Sequence, residues 1–300
     1  MPARCPPTAP LTTLSTGEGD SAPAEEHAHA SHPHALLWTA AVQLALISNA
    51  GAVPVGLATW TAEPYPAVAG FPAGNWQVAG DSSSVTQTEN GQPTVFFSDF
   101  SARNTTVTGT VEVLTAGDDD YIGFVLGFEP GDSTAAGADH LLVDWKRATQ
   151  AFDFTGPPGA HATPGSTAVK GLAVSRVTGT PTADEFWGHV DFVENPTGGV
   201  TELARAMNLG STGWADDTAY EFRFDYTPSA LQVFVNGVLE ISIAGSFPDG
   251  RLGFYNFSQD EVRYSAFDVI PEPSTALLLG AGLVGLIARA RSAPASASAG

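Results

Sequence analysis

Apolar and polar side chains alternate in short runs along the middle of the chain, between about residues 53 and 270. Residues 107–113 (VTGTVEV) place an apolar or small side chain at every second position, and residues 220–226 (YEFRFDY) place aromatic rings on one face and charges on the other. A period of two is typical of a half-buried β-strand. Three further apolar runs are short enough for buried strands: residues 121–128, 141–145 and 252–257.

An Asn-Gly pair predicts a tight hairpin. Asn236 and Gly237 separate two apolar runs, residues 231–235 and 238–243, and a type I′ turn needs the positive φ that both residues adopt readily. Gly and Pro, with 32 and 22 residues, punctuate the runs. Residues 202–208 (ELARAMN) suggest a short helix. Many short strands with turns between them predict an all-β fold, either a sandwich or a barrel.

The N-terminal part of the chain has a different composition. Residues 1–34 are rich in Ala, Pro, Ser, Thr and His without apolar periodicity, which predicts a disordered low-complexity segment. Residues 35–52 form an apolar stretch that ends in small residues, and this predicts a secretory signal peptide. The basic residue expected ahead of such a signal is represented only by the distant Arg4. A buried helix is the alternative interpretation.

The C-terminal part combines a Pro-Glu-Pro triplet, an apolar run and a basic tail: Pro271, Glu272 and Pro273, then residues 275–288, then Arg289 and Arg291. The run predicts a short hydrophobic helix, below the roughly 20 residues of a stable span, and the arginines favour a cytoplasmic end. Residues 271–291 closely resemble the PEP-CTERM sorting signal of Gram-negative bacteria, and residues 292–300 form a tail. The resemblance implies export with exopolysaccharide or biofilm matrix, processing by an exosortase and membrane anchoring. A plain membrane anchor is the alternative.

The strongly acidic composition of the chain limits the kinds of partner that it can be expected to bind. Acidic residues outnumber basic ones 32 to 12, which gives a formal net charge of −20. This imbalance argues against nucleic acid and anionic lipid as partners, because both need a basic footprint. The imbalance favours divalent cations, or it serves only to keep an exported protein soluble. The one cysteine, Cys5, precedes the predicted mature start, so neither a disulfide framework nor a cysteine-based zinc site is expected.

Three stretches of the middle of the chain form an ordered set of motifs: residues 115–128 with the Trp-Lys strand at 142–147, residues 213–220, and residues 250–259 (GRLGFYNFSQ). In this order they resemble the C-terminal, L-type-lectin-like domain of thrombospondins. We therefore predict a domain over residues 53–270 with its core at 76–268. The resemblance implies a jelly-roll β-sandwich of the concanavalin A/L-type lectin kind, calcium binding, and cell or matrix adhesion.

The chain also departs from this family. The calcium-rich repeats, the EGF-like modules and the Arg-Gly-Asp triplet of animal thrombospondins are not found in these 300 residues. Asp144 stands where the family strand is apolar. Adhesion of the integrin-binding type is therefore not expected.

The acidic triplet Asp118, Asp119 and Asp120 lies in a Gly-led turn that enters a predicted strand. Calcium takes six to eight oxygen ligands at about 2.3–2.6 Å, and adjacent carboxylates repel one another unless a cation or solvent relieves them. A solvated polar turn is the alternative. With the family resemblance we predict a Ca²⁺ site here. Further candidate ligands are Asp216, at the matching family position, and Asp99 with Asn104 from a neighbouring loop.

Aromatic residues are candidates for stacking on sugar rings. Trp214 follows Gly213 in a predicted loop and is the candidate for an exposed ligand-binding platform, with core packing as the alternative. Trp145, Trp187 and Tyr255 are more typical of a core. Single histidines, His140, His161 and His189, are expected to be ordinary surface or strand residues, and Arg251 is expected to tie its turn to an acidic loop.

The leading functional hypothesis is an exported, calcium-supported module without catalytic residues that binds an extracellular glycan or matrix protein, either secreted or anchored at the cell surface. A glycan hydrolase or lyase on the same fold is the main rival, and it needs two carboxylates at a set separation. The Glu-x-Asp-x-Glu run of such glucanases is absent, and Glu221 and Asp225 lie four residues apart. The third hypothesis is a structural matrix protein without a ligand.

Overall fold

The computed structural model describes residues 51–154, 166–193 and 195–271. The predicted disordered segment, almost all of the predicted signal peptide and the sorting signal beyond Pro271 therefore lie outside the described residues, as do the predicted C-terminal helix, the tail and His161. Within the described ranges, no helix has the length and apolar character needed to cross a membrane.

Seventeen strands account for most of the described chain. In chain order they are β1 (Val53–Pro54), β2 (Thr61–Pro64), β3 (Trp76–Val78), β4 (Ser84–Gln87), β5 (Thr94–Ser101), β6 (Thr105–Val113), β7 (Tyr121–Phe128), β8 (Asp139–Lys146), β9 (Gln150–Phe152), β10 (Ser166–Ala168), β11 (Gly171–Gly179), β12 (Gly198–Arg205), β13 (Tyr220–Tyr226), β14 (Ala230–Val235), β15 (Val238–Ala244), β16 (Arg251–Phe257) and β17 (Val262–Pro271). A 3₁₀ turn (Leu57–Thr59) and one helix, α1 (Ala183–Gly188), complete them.

The strands form two large antiparallel sheets. Sheet A has the order β15-β14-β13-β6-β17-β4-β3 with β1 paired to β17, and sheet B has the order β12-β11-β8-β7-β16-β5-β2. Between the sheets lies the main core, in which the rings of Phe254 and Tyr264 stack with centroids 4.5 Å apart. This confirms the predicted all-β, lectin-like sandwich, because alternation in each strand sends one set of side chains inward.

The predicted hairpin is also confirmed. Asn236 and Gly237 join β14 to β15 with φ values of 49° and 77°, and Val235 pairs with Val238 across the turn. Positive φ at both central residues is the geometry of a type I′ turn, whose twist matches that of the flanking strands.

The predicted helix at residues 202–208 is wrong. Residues up to Arg205 belong to β12, which pairs with β11 along its length. Strand pairing overrides the helix propensity of this segment. The helix that does form, α1, begins at a capping box in which Thr182 accepts a hydrogen bond from the Glu185 backbone and Glu185 reaches back. That Thr-x-x-Glu signature was visible in the sequence.

A second apolar layer covers the outer face of sheet B. The strand pair β9–β10 and α1 lie over this face, and their aromatic side chains pack against those of the sheet. Trp187 of α1 contacts Tyr121 and Phe257, with ring centroids 5.6 and 5.4 Å apart. The inner strands β7, β8, β11 and β16 of sheet B are therefore almost entirely buried, which explains their continuous apolar runs.

Candidate functional site

The acidic triplet lies at the entrance to β7. Gly117 has a φ of +106°, a backbone conformation that residues with a side chain rarely adopt. It turns the chain towards the strand. One ligand atom from each of Asp118, Asp119 and Asp120 lies within 4.8 Å of the others. The structure thus brings the three carboxylates into one group.

A buried lysine lies in this group. The Nζ of Lys146 donates to Asp120 Oδ1 at 2.5 Å and to Asp119 Oδ1 at 3.0 Å, and also to Gln150 Oε1 at 3.1 Å. It also lies 4.7 Å from the centre of a ring of Trp187. A buried ammonium requires such partners. Lys146 is the last residue of β8, and sequence reasoning noted it only as part of the Trp-Lys strand.

One ammonium does not balance three carboxylates. Burial raises the pKa of Asp120 to about 7, although Lys146 lowers it. Burial also raises the pKa of Asp118; a hydrogen bond from the backbone of Asp119 lowers it, and the charges of Asp260 and Asp119 raise it again. A raised carboxyl pKa means that the ionised form is poorly compensated. A divalent cation is the kind of group that would compensate it.

Neighbouring loops bring further oxygen atoms to the triplet. Asn90 Nδ2 donates to Asp118 Oδ2 at 2.7 Å, and Ser258 Oγ donates to Asn90 Oδ1 at 3.1 Å. Gln259 Oε1 accepts from the backbone N–H of Asp120 at 3.1 Å. The donor set is therefore made mainly of hard oxygens, which suit calcium.

The other predicted ligands do not join the triplet. Asp216 forms an ion pair with Arg147, whose Nη1 also donates to the carbonyl of Asp118 at 2.9 Å. Asp99 accepts from Thr59 Oγ1 at 2.8 Å, near the end of β5 that is remote from the triplet. Asn104 lies in the turn that follows β5. The prediction for Asp99 and Asn104 is wrong because antiparallel order puts them at the opposite end of sheet B from the start of β7.

Trp214, the candidate for an exposed platform, packs in the core instead, as its alternative interpretation had it. Its side chain is only 2% exposed and belongs to the main core. Its Nε1 donates to the carbonyl of Asp120 at 3.0 Å, and the Arg147 guanidinium lies 5.2 Å from its ring centre. A buried indole satisfies its N–H in this way. Trp214 therefore supports the acidic turn from inside, and Trp145 lies in the core as predicted.

The prediction for His189 as an ordinary residue is wrong. It ends α1 with a φ of 50°, and its buried Nε2 lies 2.9 Å from Asp144 Oδ2. Burial lowers its pKa, but the charges and hydrogen bonds of Asp144 and Glu202 outweigh burial and raise the pKa to about 9. Burial raises the pKa of Asp144 in spite of His189. The unusual Asp144 is thus explained as the partner of His189.

Two other expectations are refined. His140 is buried in β8 and lies within 2.9 Å of the Tyr65 hydroxyl. Arg251 is structural as predicted, but its Nη1 donates to the carbonyl of Ser98 at 2.8 Å rather than to an acidic loop.

Two family models match parts of this chain. Residues 72–271 match the family described as the thrombospondin C-terminal region, and residues 269–292 match the PEP-CTERM protein-sorting motif. The second match covers Pro271, Glu272 and Pro273 as well as Arg289 and Arg291.

Individual relatives are similar over the same domain. The chain is 28% identical over 217 residues to cartilage oligomeric matrix protein of Rattus norvegicus, covering 66% of this chain and 26% of that protein. It is 28% identical over 199 residues to thrombospondin-3b of Danio rerio, covering 64% and 20%. The chain thus spans about a quarter or less of the length of these relatives. Among solved structures, carbohydrate-binding module CBM66 from Bacillus subtilis aligns with a TM-score of 0.42 at 9% identity, covering 68% of this chain and 98% of that one.

Proposed function

The chain belongs to the thrombospondin C-terminal family, and from that premise we propose that it is a calcium-stabilised, non-enzymatic module that binds an extracellular glycan or matrix protein. The family membership makes it a lectin-like module. Its PEP-CTERM motif marks it as an exported protein, secreted or anchored at the surface, and implies processing by an exosortase. Membrane anchoring through the C-terminal segment and association with exopolysaccharide or biofilm matrix are part of the proposal.

The observation that carries the calcium proposal is the under-compensated acidic triplet. Asp118, Asp119 and Asp120 supply carboxylate oxygens within 4.8 Å of one another, and Lys146 matches only one of their charges. A bound calcium ion would lower the raised pKa values of these carboxyl groups, and it could also bind oxygen atoms from neighbouring loops. Asp118 and Asp119 are the principal ligands in this proposal, because Asp120 is the nearest partner of Lys146. Asp216 is left to its ion pair with Arg147.

Thermal unfolding of the full chain with calcium, with magnesium and with a chelator tests the proposal. A cation that binds only the native state stabilises it by RT ln(1 + [L]/Kd), about 2.7 kcal/mol at a hundredfold excess over Kd. Extracellular calcium modules have Kd values of about 10⁻⁴–10⁻³ M. We expect the Tm to rise with millimolar calcium and to rise less with magnesium, which tolerates irregular oxygen sites poorly.

A matched pair of variants locates the effect. Asp118→Asn with Asp119→Asn keeps the shape of the turn and leaves Asp120 to Lys146, and we expect it to abolish the calcium-induced rise in Tm. Asp217→Asn removes one charge from an exposed residue next to Asp216 and should retain the rise. A Tm that does not respond to calcium, or an equal response in both variants, would contradict the calcium site.

The residues of β13 do not match the carboxylate pattern that the rival hypothesis, a glucanase-like hydrolase, requires. Glu221 and Asp225 have the four-residue spacing of the outer carboxylates in a Glu-x-Asp-x-Glu run, but Arg223 stands where that run has its aspartate. Asp225 is also held by Thr106 and Arg223. These differences support the non-enzymatic proposal.

A further inference from the structure

The outer face of sheet A is open, whereas the outer face of sheet B is covered. The second apolar layer covers sheet B, whereas the outward side chains of β6, β13, β14 and β15 remain exposed or half-buried. A groove of about 430 Å³ lies on this face. It is lined by Thr106, Asp225, Thr227, Ala230, Gln232, Ser242, Ile243 and Ala244.

Four polar side chains cross the groove in one line. The strand register pairs Thr106 with Asp225, Asp225 with Gln232, and Gln232 with Ser242. We call these four residues the polar row. Neighbouring strands lie about 4.8 Å apart, so the row is about 14 Å long. It begins on the inner strand β6 and ends on the edge strand β15.

The row presents oriented hydrogen-bonding groups. Thr106 Oγ1 donates to Asp225 Oδ1 at 2.8 Å, and Arg223 Nη2 donates to Asp225 Oδ2 at 3.1 Å. The guanidinium of Arg223 lies 3.6 Å from the ring centre of Phe234, which holds it against the sheet. Each carboxylate oxygen keeps a second lone pair for a ligand. Asp225 is therefore fixed in place and still able to accept.

The rest of the row is free. Among the described residues, the side chains of Gln232 and Ser242 have no hydrogen-bond partner. The amide of Gln232 offers two donors and an acceptor, and the hydroxyl of Ser242 offers both functions. Ala230 and Ile243 add an apolar part to the lining. A groove with an apolar part and a few convergent polar groups is typical of a ligand site.

We propose that the polar row binds a neutral polysaccharide chain. Thr106 and Asp225 can accept hydrogen bonds, and Gln232 and Ser242 can both donate and accept them. Such a row matches the hydroxyl groups that sugar rings present along a chain, and the apolar side chains match their C–H faces. A length of about 14 Å favours several linked rings over a single sugar. The net charge of −20 opposes an anionic polymer. This proposal rests on the proposed function, and it adds the site at which the glycan would bind.

Affinity electrophoresis of the full chain tests the site, with a soluble neutral β-glucan, a neutral mannan or anionic alginate in the gel. We expect retardation by a neutral polymer and none by alginate. Gln232→Ala combined with Ser242→Ala should weaken binding at least tenfold. Thr110→Ala is the matched control, since it removes a half-buried side chain from the same face of β6 outside the row.

The outcomes separate the site from the wider proposal. Binding by the wild-type chain that persists in the double variant would overturn the polar row and leave the binding function standing. Retardation by alginate alone would overturn the neutral ligand. If no polymer retards the wild-type chain, the polar row is overturned. The response of the Tm to calcium still tests the calcium site of the proposed function, independently of polysaccharide binding.

Discussion

The outer faces of the two sheets carry their charged groups in different environments. On sheet B, Lys146 and Asp144 have side chains that are 0% exposed, and His189, which lies over that face, is 4% exposed. On sheet A, Arg223 and Asp225 are 41% and 26% exposed. Both faces are built on the same antiparallel ladders. The difference comes from the layer formed by β9, β10 and α1, which converts the outer face of sheet B into a second core.

Ion pairs on the two faces differ in their exposure to solvent and therefore in their contribution to stability. A buried charge cannot lose its partner without a large cost in free energy, so the buried pair of His189 and Asp144 fixes how the end of α1 lies on sheet B. An exposed pair contributes little to stability, and its groups remain available to a ligand. We therefore expect the covered face to serve stability and the open face to serve the proposed ligand binding.

The largest effect is expected from Lys146→Met. Removal of the ammonium leaves Asp120 buried without its cation, and loss of one partner from a buried pair costs about 3–5 kcal/mol. The matched change on the open face, Arg223→Met, should cost less than about 1 kcal/mol. Urea unfolding of both variants without calcium measures the difference. Equal losses would contradict the contrast between the faces.

A pH-dependent loss of stability should follow from His189. Its folded pKa of about 9 lies above the ordinary value of 6.5, so its contribution is complete below about pH 6.5 and is lost as the pH rises through about 9. A shift of this size corresponds to about 3 kcal/mol. Burial raises the pKa of Asp144 as well, which acts in the same direction.

The free energy of unfolding, measured by urea titration from pH 6 to 9.5, tests this expectation. The wild-type chain should lose stability over that interval. His189→Asn tolerates the positive φ at this position and should flatten the profile. An unchanged slope in the variant would show that other groups titrate there.

The smallest effect on stability is expected within the polar row. Gln232 and Ser242 lie on the open face, and surface substitutions of this kind change the free energy of unfolding by about 0.5 kcal/mol or less. Gln232→Ala with Ser242→Ala should therefore unfold at nearly the wild-type urea midpoint. A larger loss would mean that the row serves the fold, and the electrophoretic test would then need each single variant.

Several features were predictable because they depend on neighbours in the chain. The alternation in residues 107–113 and 220–226 predicted β6 and β13, since successive side chains of a strand point to opposite faces. Asn236-Gly237 predicted its hairpin from the φ values that the turn requires. The triplet Asp118, Asp119 and Asp120 was predictable as a group because its members are adjacent.

Other features depend on residues that are distant in the sequence. Lys146 meets Asp120 across 26 residues, and His189 meets Asp144 across 45. The residues next to Trp214 in the sequence predicted a loop. Only the tertiary structure shows that the Trp214 ring is buried, because this loop packs against Asp120, which is 94 residues away. The polar row joins four strands that no local pattern connects.

The sequence by itself determined several strands, the inward and outward faces of β6 and β13, the hairpin and the order of the family motifs, because these follow from local backbone preferences and a period of two. Only the tertiary structure decided which face of which sheet is covered, which acid meets Lys146 and which polar side chains share a row. Those outcomes depend on strand order and register, which bring together residues from distant parts of the chain. Burial then decides whether a charged group holds the fold or remains free to bind.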